Sequence, residues 1–409
     1  MQVDPAYLNW WQRSDLGYQQ GELNFAGSAV RELIAEHGTP TFVYSKQRVA
    51  DNIQRLKSAL DDTALVGPYK ILFAMKANRF APLLQFLARQ GMVGIDACSP
   101  NEVAHALACG FEPDQISFTA GSLSQHDVSR LDEFEGLFMN CDSLYSIETW
   151  GRLKPGSEIG IRVNPGLGVS RAGNDRLQYA GTVTTKFGIY KEQFVEALAL
   201  AKRHQLTVSK IHFHTGCGYL TSELNQLDQV ISECLWFVEN CPDVSRVNVG
   251  GGLGVPHSAG ENPLDLGKWA AVLAKHFASR DILIEMEPGE YIVKDSGLLL
   301  LSKTYLEKKR NTLFLGVDAG FNIAPEPAYY NLPFQPVPLV DPQGEAAPKL
   351  KKVTVVGNIN EALDVWYEGA LLPNMQQETH LALINAGGYS SSMASNHCMR
   401  GEFSEVLLD

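Results

Sequence analysis

The sequence is short of basic residues. Its 34 lysines and arginines face 46 aspartates and glutamates, a formal charge of −12. That balance leaves no basic face for nucleic acid or an anionic membrane surface. Long apolar runs are missing too, since no stretch reaches the roughly 18 apolar residues of a membrane span. The first residues, Met-Gln-Val-Asp-Pro, form neither a basic leader nor an apolar secretion core. Cysteine is sparse and unpatterned. Cys98, Cys109, Cys141, Cys217, Cys234, Cys241 and Cys398 are odd in number and contain no C-x-x-C pair. Neither a disulfide framework nor a zinc knuckle is expected, and a reducing, cytoplasmic setting fits best.

What is present is an ordinary globular composition, 45% hydrophobic and 20% charged, spread over 409 residues. That length exceeds one hydrophobic core and predicts two domains. Thr41 to Ser45 reads as a strand, followed by a helix with Val49, Ile53, Leu56 and Leu60 on one face. An apolar strand then runs from Ile71 and stops on Lys76. Further strands are expected at 93–97, 116–119, 159–163, 209–214, 247–249 and 282–286. Helices are expected at 102–108 and 194–201, and around the stripe Leu227, Val230, Ile231, Cys234, Leu235 and Val238. Short apolar strands alternating with helices imply a parallel sheet. About eight such units fit between residues 45 and 295, the length of a TIM (β/α)8 barrel.

After about residue 295 the pattern turns to strands with little helix between them: 298–301, 313–317, 353–356 and 380–384. Six prolines between Pro325 and Pro342 punctuate the loops. The expected organisation is an N-terminal segment 1–44, a barrel 45–295 and a C-terminal β domain 296–409, which the N-terminal segment completes.

The chemistry-bearing residues fall at strand ends, which in a barrel share one face. Lys76 ends a buried strand, where an apolar setting lowers an amine's pKa and frees it to form a Schiff base. Gly250-Gly251-Gly252 follows a strand, and amides bared by glycines can cradle a phosphate. The next residues, Leu-Gly-Val-Pro, do not open a dinucleotide-binding helix. Glu287, before Pro288-Gly289, offers a carboxylate to a protonated ring nitrogen. His212 and His214 alternate along a predicted strand and so point the same way. No third ligand has metal-binding spacing, and an imidazole lying over an aromatic cofactor suits them better. Together these are the parts of a pyridoxal 5'-phosphate site.

The same motifs resemble the alanine-racemase-like class (fold-type III) of pyridoxal-phosphate enzymes, in particular the diaminopimelate and ornithine decarboxylase family. The resemblance spans about Thr39 to Leu408. Ala-Met-Lys-Ala-Asn around Lys76 is similar to the Schiff-base motif. His-Phe-His-Thr-Gly at 212–216 is similar to the family's HxHxG run and assigns His214 to ring stacking. Gly250 to Gly252 match the phosphate glycines and Glu287 the ring-nitrogen glutamate. Ala386-Gly387-Gly388-Tyr389, with Ser392 to Asn396, resembles the motif whose tyrosine contacts the phosphate. The resemblance implies a homodimer with shared active sites, an amino-acid substrate and a lyase activity, α-decarboxylation.

Three departures bear on the substrate. The family's Glu-Pro-Gly-Arg is here Glu-Pro-Gly-Glu, with Glu290. Its Arg-Pro-Ala is here Glu326-Pro327-Ala328. The family's arginines are associated with the distal carboxylate of diaminopimelate, so two acids there would repel such a group and favour a cationic one. Tyr330 keeps the family's tyrosine spacing. In the loop 357–364, Asn360 stands where the family has a cysteine linked to reprotonation, and an amide is no general acid near neutral pH. Glu361 is retained, and the resemblance directs it to a substrate amine in the neighbouring subunit. The expected substrate is a basic, polyamine-type or conjugated amino acid, including precursors of siderophores or other specialised metabolites. The alternatives are a racemase or epimerase of the same fold, which would need a second ring-face base, and a non-catalytic pyridoxal-phosphate-binding homologue.

Overall fold

The computed structural model describes residues 9–65, 67–171, 174–181, 183–343 and 349–409. Eight parallel strands close into a barrel: Tyr69–Ala74, Gly94–Ala97, Ile116–Ala120, Phe138–Cys141, Glu158–Asn164, Thr207–His212, Arg246–Asn248 and Leu283–Met286. The first pairs with the last, at Ile71 opposite Met286, and Phe138–Cys141 pairs with Glu158–Asn164. Their side chains are mostly buried, as expected of strands covered on both faces. Helices return the chain between them. The helix Leu224–Glu239 buries Leu227, Val230, Ile231, Cys234 and Val238 as its stripe predicts, together with Phe237, while Leu235 is half-buried. Pro100–Ala108 begins where Ser99 caps it by accepting from the Glu102 amide.

The chain divides into two compact units. One comprises residues 53–255 and 262–291 and contains the barrel. The other comprises 1–52, 256–261 and 292–409. These borders differ from the sequence-expected divisions at 44/45 and 295/296. The first border falls inside the helix Lys46–Asp61, whose opening turns are tied to the β unit by Arg48 and Asn52 bonding Asp295.

The β unit is built on an eight-stranded sheet. Gly297–Lys309 is its longest strand, pairing with Thr312–Val317, His380–Ile384 and Thr41–Ser45. Thr41–Ser45 is buried along its whole length and lies between that strand and Ser404–Leu408. The core of this unit joins Val43, Leu298, Leu300, Ala382 and Ile384 to Trp11, Leu16, Leu23 and Phe25 from the N-terminal segment.

Sequence periodicity missed several strands. Phe138–Cys141 was not anticipated because Asn140 interrupts its apolar run, yet that side chain is wholly buried. Its amide donates to Ser117 Oγ, Thr119 Oγ1 and the Phe118 carbonyl. Val365–Leu372 was missed as well, since polar residues interleave its half-buried face.

Candidate active site

The strand that carries the lysine ends earlier than its sequence suggests. Tyr69–Ala74 stops at Ala74, and Met75–Ala77 forms a 3-10 turn that presents Lys76. The Ala74 amide donates to the Pro288 carbonyl, tying the Lys76 strand to the Glu287-Pro288 segment. Lys76 Nζ lies 2.8 Å from Asp96 Oδ2 and 3.7 Å from Cys98 Sγ. Asp96, on Gly94–Ala97, is 1% exposed. Burial pushes its carboxyl up to about 6, with repulsion from Glu287 adding and attraction from Lys76 opposing. Burial likewise pushes the Cys98 thiol up to about 12, so it stays protonated.

Glu287 follows Leu283–Met286 at the same barrel face and is buried. Burial alone would raise its pKa, but His212, Lys76 and His214 outweigh that and hold it well below the usual carboxylate range. His212 Nε2 stands 3.0 Å from both carboxylate oxygens, and Asn248 Nδ2 donates to Oε1 at 2.8 Å. The result is a buried, oriented anion.

The two histidines do not share a strand face as expected. Thr207–His212 ends at the first of them, and His214 lies in the following loop. Its ring packs against Tyr179, with centroids 4.9 Å apart and planes at 32°. Burial, followed by the Lys76 and Arg162 charges, lowers its pKa to about 3. It is therefore a neutral, flat ring at neutral pH.

The glycine run follows Arg246–Asn248 and has no room for side chains. A Cβ on Gly250 would lie 2.5 Å from the Phe213 carbonyl oxygen, one on Gly251 2.1 Å from that of Glu287, and one on Gly252 2.3 Å from that of Gly216. Gly250 also has φ +70 and Gly252 φ +93, a left-handed backbone that favours glycine.

The two reversed charges are taken up inside the protein. Glu290 is 6% exposed. Its Oε1 accepts from the Val255 amide at 3.2 Å and stands 3.7 Å from Arg171 Nη2. Arg171 in turn donates to the carbonyls of Gly218 and Val255. In the β unit, Glu326 opens the short helix Glu326–Tyr330 and forms a buried ion pair with Lys294. Lys294 Nζ also donates to the Gly388 carbonyl at 2.9 Å, beside Tyr389. Tyr330 and Tyr389 are both half-buried, the latter at φ +55. Asn360 and Glu361 are exposed on the loop 357–364, which the Asp364 carboxylate clamps by accepting from the amides of Phe321 and Ile359. Glu361 Oε1 stands 3.3 Å from His397 Nε2.

The barrel unit thus gathers Lys76, His214, Gly250, Gly251, Gly252, Glu287 and Glu290. Tyr389, Glu326, Tyr330, Asn360 and Glu361 belong to the β unit. Sequence reasoning did not single out Asp96, Asn248, Arg171 or Lys294. Asp96 left a local trace, an acid inside a four-residue apolar strand. Arg171 and Lys294 left none, because their partners are distant in the chain.

An amine at a strand end, a glycine turn without space for a Cβ, a buried ionised carboxylate and a neutral imidazole together fit pyridoxal 5'-phosphate. Two buried atoms, Asp96 Oδ1 and His212 Nδ1, have no hydrogen-bond partner among the described residues. A family profile described as pyridoxal-dependent decarboxylase, pyridoxal binding domain, matches residues 47–294. The chain belongs to this family of pyridoxal-phosphate-dependent decarboxylases. Among its relatives is a diaminopimelate decarboxylase of Methanothermobacter thermautotrophicus, 32% identical over 95% of this chain and 91% of that protein. The Escherichia coli K12 diaminopimelate decarboxylase is 31% identical over 92% and 90%. A crystal structure of diaminopimelate decarboxylase from Helicobacter pylori complexed with L-lysine superposes with a TM-score of 0.82 at 26% identity. It covers 93% of this chain and 94% of that one. No helix among the described residues is long and apolar enough to cross a membrane.

Proposed function

We propose that this chain decarboxylates an α-amino acid whose far end is not a free carboxylate: a basic, polyamine-type or conjugated amino acid. When bound, the cofactor supplies the electron sink for the pair left at Cα as CO2 departs. Lys76 is the amine that would hold it, and Asp96 keeps that amine oriented. Glu287, anionic and fixed by His212 and Asn248, keeps a proton on the ring nitrogen. His214, neutral and flat, covers a ring face. The amides of Gly250 to Gly252 take the phosphate. Tyr389 as a further phosphate contact, and Tyr330 and Glu361 at the substrate, enter this proposal through the family resemblance. Asn360 cannot donate the proton that replaces CO2, so water or another group does so.

The observation that carries the substrate reading is the fate of positions 290 and 326. Both acids are buried and matched by Arg171 and Lys294, so neither position presents a cation to a distal carboxylate. The acids are also not free to attract a substrate amine strongly. The reading therefore rests on the loss of cationic contacts rather than on a gain of anionic ones. Diaminopimelate and a panel of basic and N-acylated amino acids would be incubated with the enzyme and CO2 release followed. Turnover of meso-diaminopimelate with the highest kcat/KM of the set defeats the proposal. Lys76→Ala is expected to abolish both CO2 release and the visible absorbance of bound cofactor.

Self-association belongs to the same proposal. Met399 is 85% exposed and Leu363 47%, and both belong to the β unit. Phe321 packs at 6.2 Å against Tyr329 and 6.0 Å against His397. Exposed apolar side chains of this kind suit contact with a second copy of the chain. If active sites are shared, mixing inactive Lys76→Ala and Glu361→Gln proteins restores up to roughly a quarter of the activity, the share of correctly paired sites in a random dimer mixture. No recovery on mixing, or a monomer by sedimentation, rejects the shared site.

A further inference from the structure

The barrel interior next to Glu287 holds a second pair of charges that the chemistry above leaves unused. Lys210, on Thr207–His212, and Glu285, on Leu283–Met286, are 1% and 3% exposed. Lys210 Nζ lies 2.6 Å from Glu285 Oε2 and 3.9 Å from the centroid of the Phe138 ring. Barrel interiors are normally filled by branched apolar side chains. Taking two charges out of water is costly, so an apolar pair of similar volume would serve stability at least as well.

Asn248 shows what the pair does. Its Nδ2 donates to Glu287 Oε1 at 2.8 Å and to Glu285 Oε2 at 3.4 Å. Its Oδ1 accepts from the Gly250 amide at 2.8 Å. A flipped amide would turn its oxygen toward two carboxylates and its NH2 toward an N–H donor, so the carboxylates dictate the orientation seen. Lys210 Nζ, 2.6 Å from Glu285 Oε2, holds that carboxylate in place for this role. One wholly buried side chain thereby grips the carboxylate at one end of the site and the glycine turn at the other.

We propose that Asn248, oriented by the Lys210–Glu285 pair, is a positioning residue that sets the Glu287 carboxylate and the Gly250 phosphate turn as one piece. This rests on the reading of Glu287 and the glycines given above. It goes beyond that reading by predicting that the two ends of the site do not vary independently.

The test compares pyridoxal 5'-phosphate with phosphate-free pyridoxal. Purified holoprotein is stripped and titrated with each, and thermal midpoints are recorded. The variants are Asn248→Leu, the milder Asn248→Ser, Lys210→Met/Glu285→Gln and Glu287→Gln. Each lost bond to a charged or phosphate-holding group is worth about a factor of ten in Kd. Asn248→Leu is expected to weaken pyridoxal about tenfold, as Glu287→Gln does, and pyridoxal phosphate about a hundredfold. The Lys210/Glu285 double variant is expected to fold and to weaken pyridoxal phosphate about tenfold. If Asn248→Leu does not fold, Asn248→Ser gives the comparison. Wild-type affinity in the Asn248 and double variants, with weakened binding in Glu287→Gln, overturns this inference alone. So does an equal loss for both ligands, or a fall in thermal midpoint with affinity unchanged. Wild-type affinity in Glu287→Gln instead overturns the ring-nitrogen reading itself, and the carboxylate end of this inference with it.

Discussion

His212 Nε2 is equidistant from the two oxygens of Glu287, 3.0 Å from each. A symmetric contact of this kind leaves the carboxylate no free rotation and favours its charged form. The folded-state pKa of Glu287 lies below its ordinary value of 4.5. Its ionised form therefore contributes stability that is fully present above about pH 4.5 and is lost as pH falls further. His212→Phe is expected to shrink this acid-side loss and to weaken cofactor binding at pH 7 about tenfold. Thermal midpoints between pH 3 and 7, with a cofactor titration, check both. An unchanged acid limb would show that His212 does not hold the charge.

Asp96 has the opposite sign. Its pKa is raised from 3.8 to about 6, so the folded protein retains a proton that the unfolded chain has released. Stability from this group falls as pH rises from about 4 through 6. Asp96→Asn is expected to flatten that limb and raise the thermal midpoint near pH 7.5, while loosening Lys76 and reducing kcat. A midpoint that drops at pH 7.5 would contradict the sign.

Gly251 is the tightest point of the glycine turn proposed to take the phosphate. Gly251→Ala would drive a methyl into the carbonyl of Glu287, displacing the backbone that carries that carboxylate. Overpacking of this order costs about 1–3 kcal/mol. Cofactor retention on dialysis should fall by more than the stability loss alone accounts for.

The Lys294–Glu326 pair makes a prediction by asymmetry. Lys294→Met leaves a buried carboxylate uncompensated and should cost about 3–5 kcal/mol. Lys294→Met/Glu326→Gln should recover most of it, because neither charge is then stranded. Equal destabilisation of single and double variants in urea would mean that the pair is not coupled.

Arg171 and Glu290 invite a charge exchange. Glu290→Arg alone places two guanidinium groups together in a buried site and should destabilise by several kcal/mol. Arg171→Glu/Glu290→Arg should regain part of that. If the regained protein also turns over diaminopimelate, position 290 governs the distal end of the substrate.

Much of this was legible in the sequence, and the remainder was hidden for definite reasons. Short apolar strands at regular intervals disclosed the barrel because a two-sided strand has no polar face to hide in. Lys76, the glycines and Glu287 were visible because each sits where a strand must stop. The end of the Lys76 strand was misjudged by two residues, since Met75 is as apolar inside a 3-10 turn as in a strand. The His212 and His214 pairing failed because period-two alternation holds only while the strand lasts. The acids at 290 and 326 stood out in the sequence as departures from the family resemblance. Their compensation by Arg171 and Lys294 was invisible, because an ion pair between distant positions leaves no local spacing.

The placement of Thr41–Ser45 between Gly297–Lys309 and Ser404–Leu408 has a consequence for biosynthesis. This strand leaves the ribosome early, yet its antiparallel partner Gly297–Lys309 is translated only after the whole barrel. At about 5–20 residues per second the wait is on the order of ten to fifty seconds. During that interval a strand that is buried along its whole length in the folded unit has no partner of its own to pair with. The nascent chain is therefore expected to need a holding chaperone between synthesis of the two strands, and slowing translation across the barrel codons should lower the soluble yield.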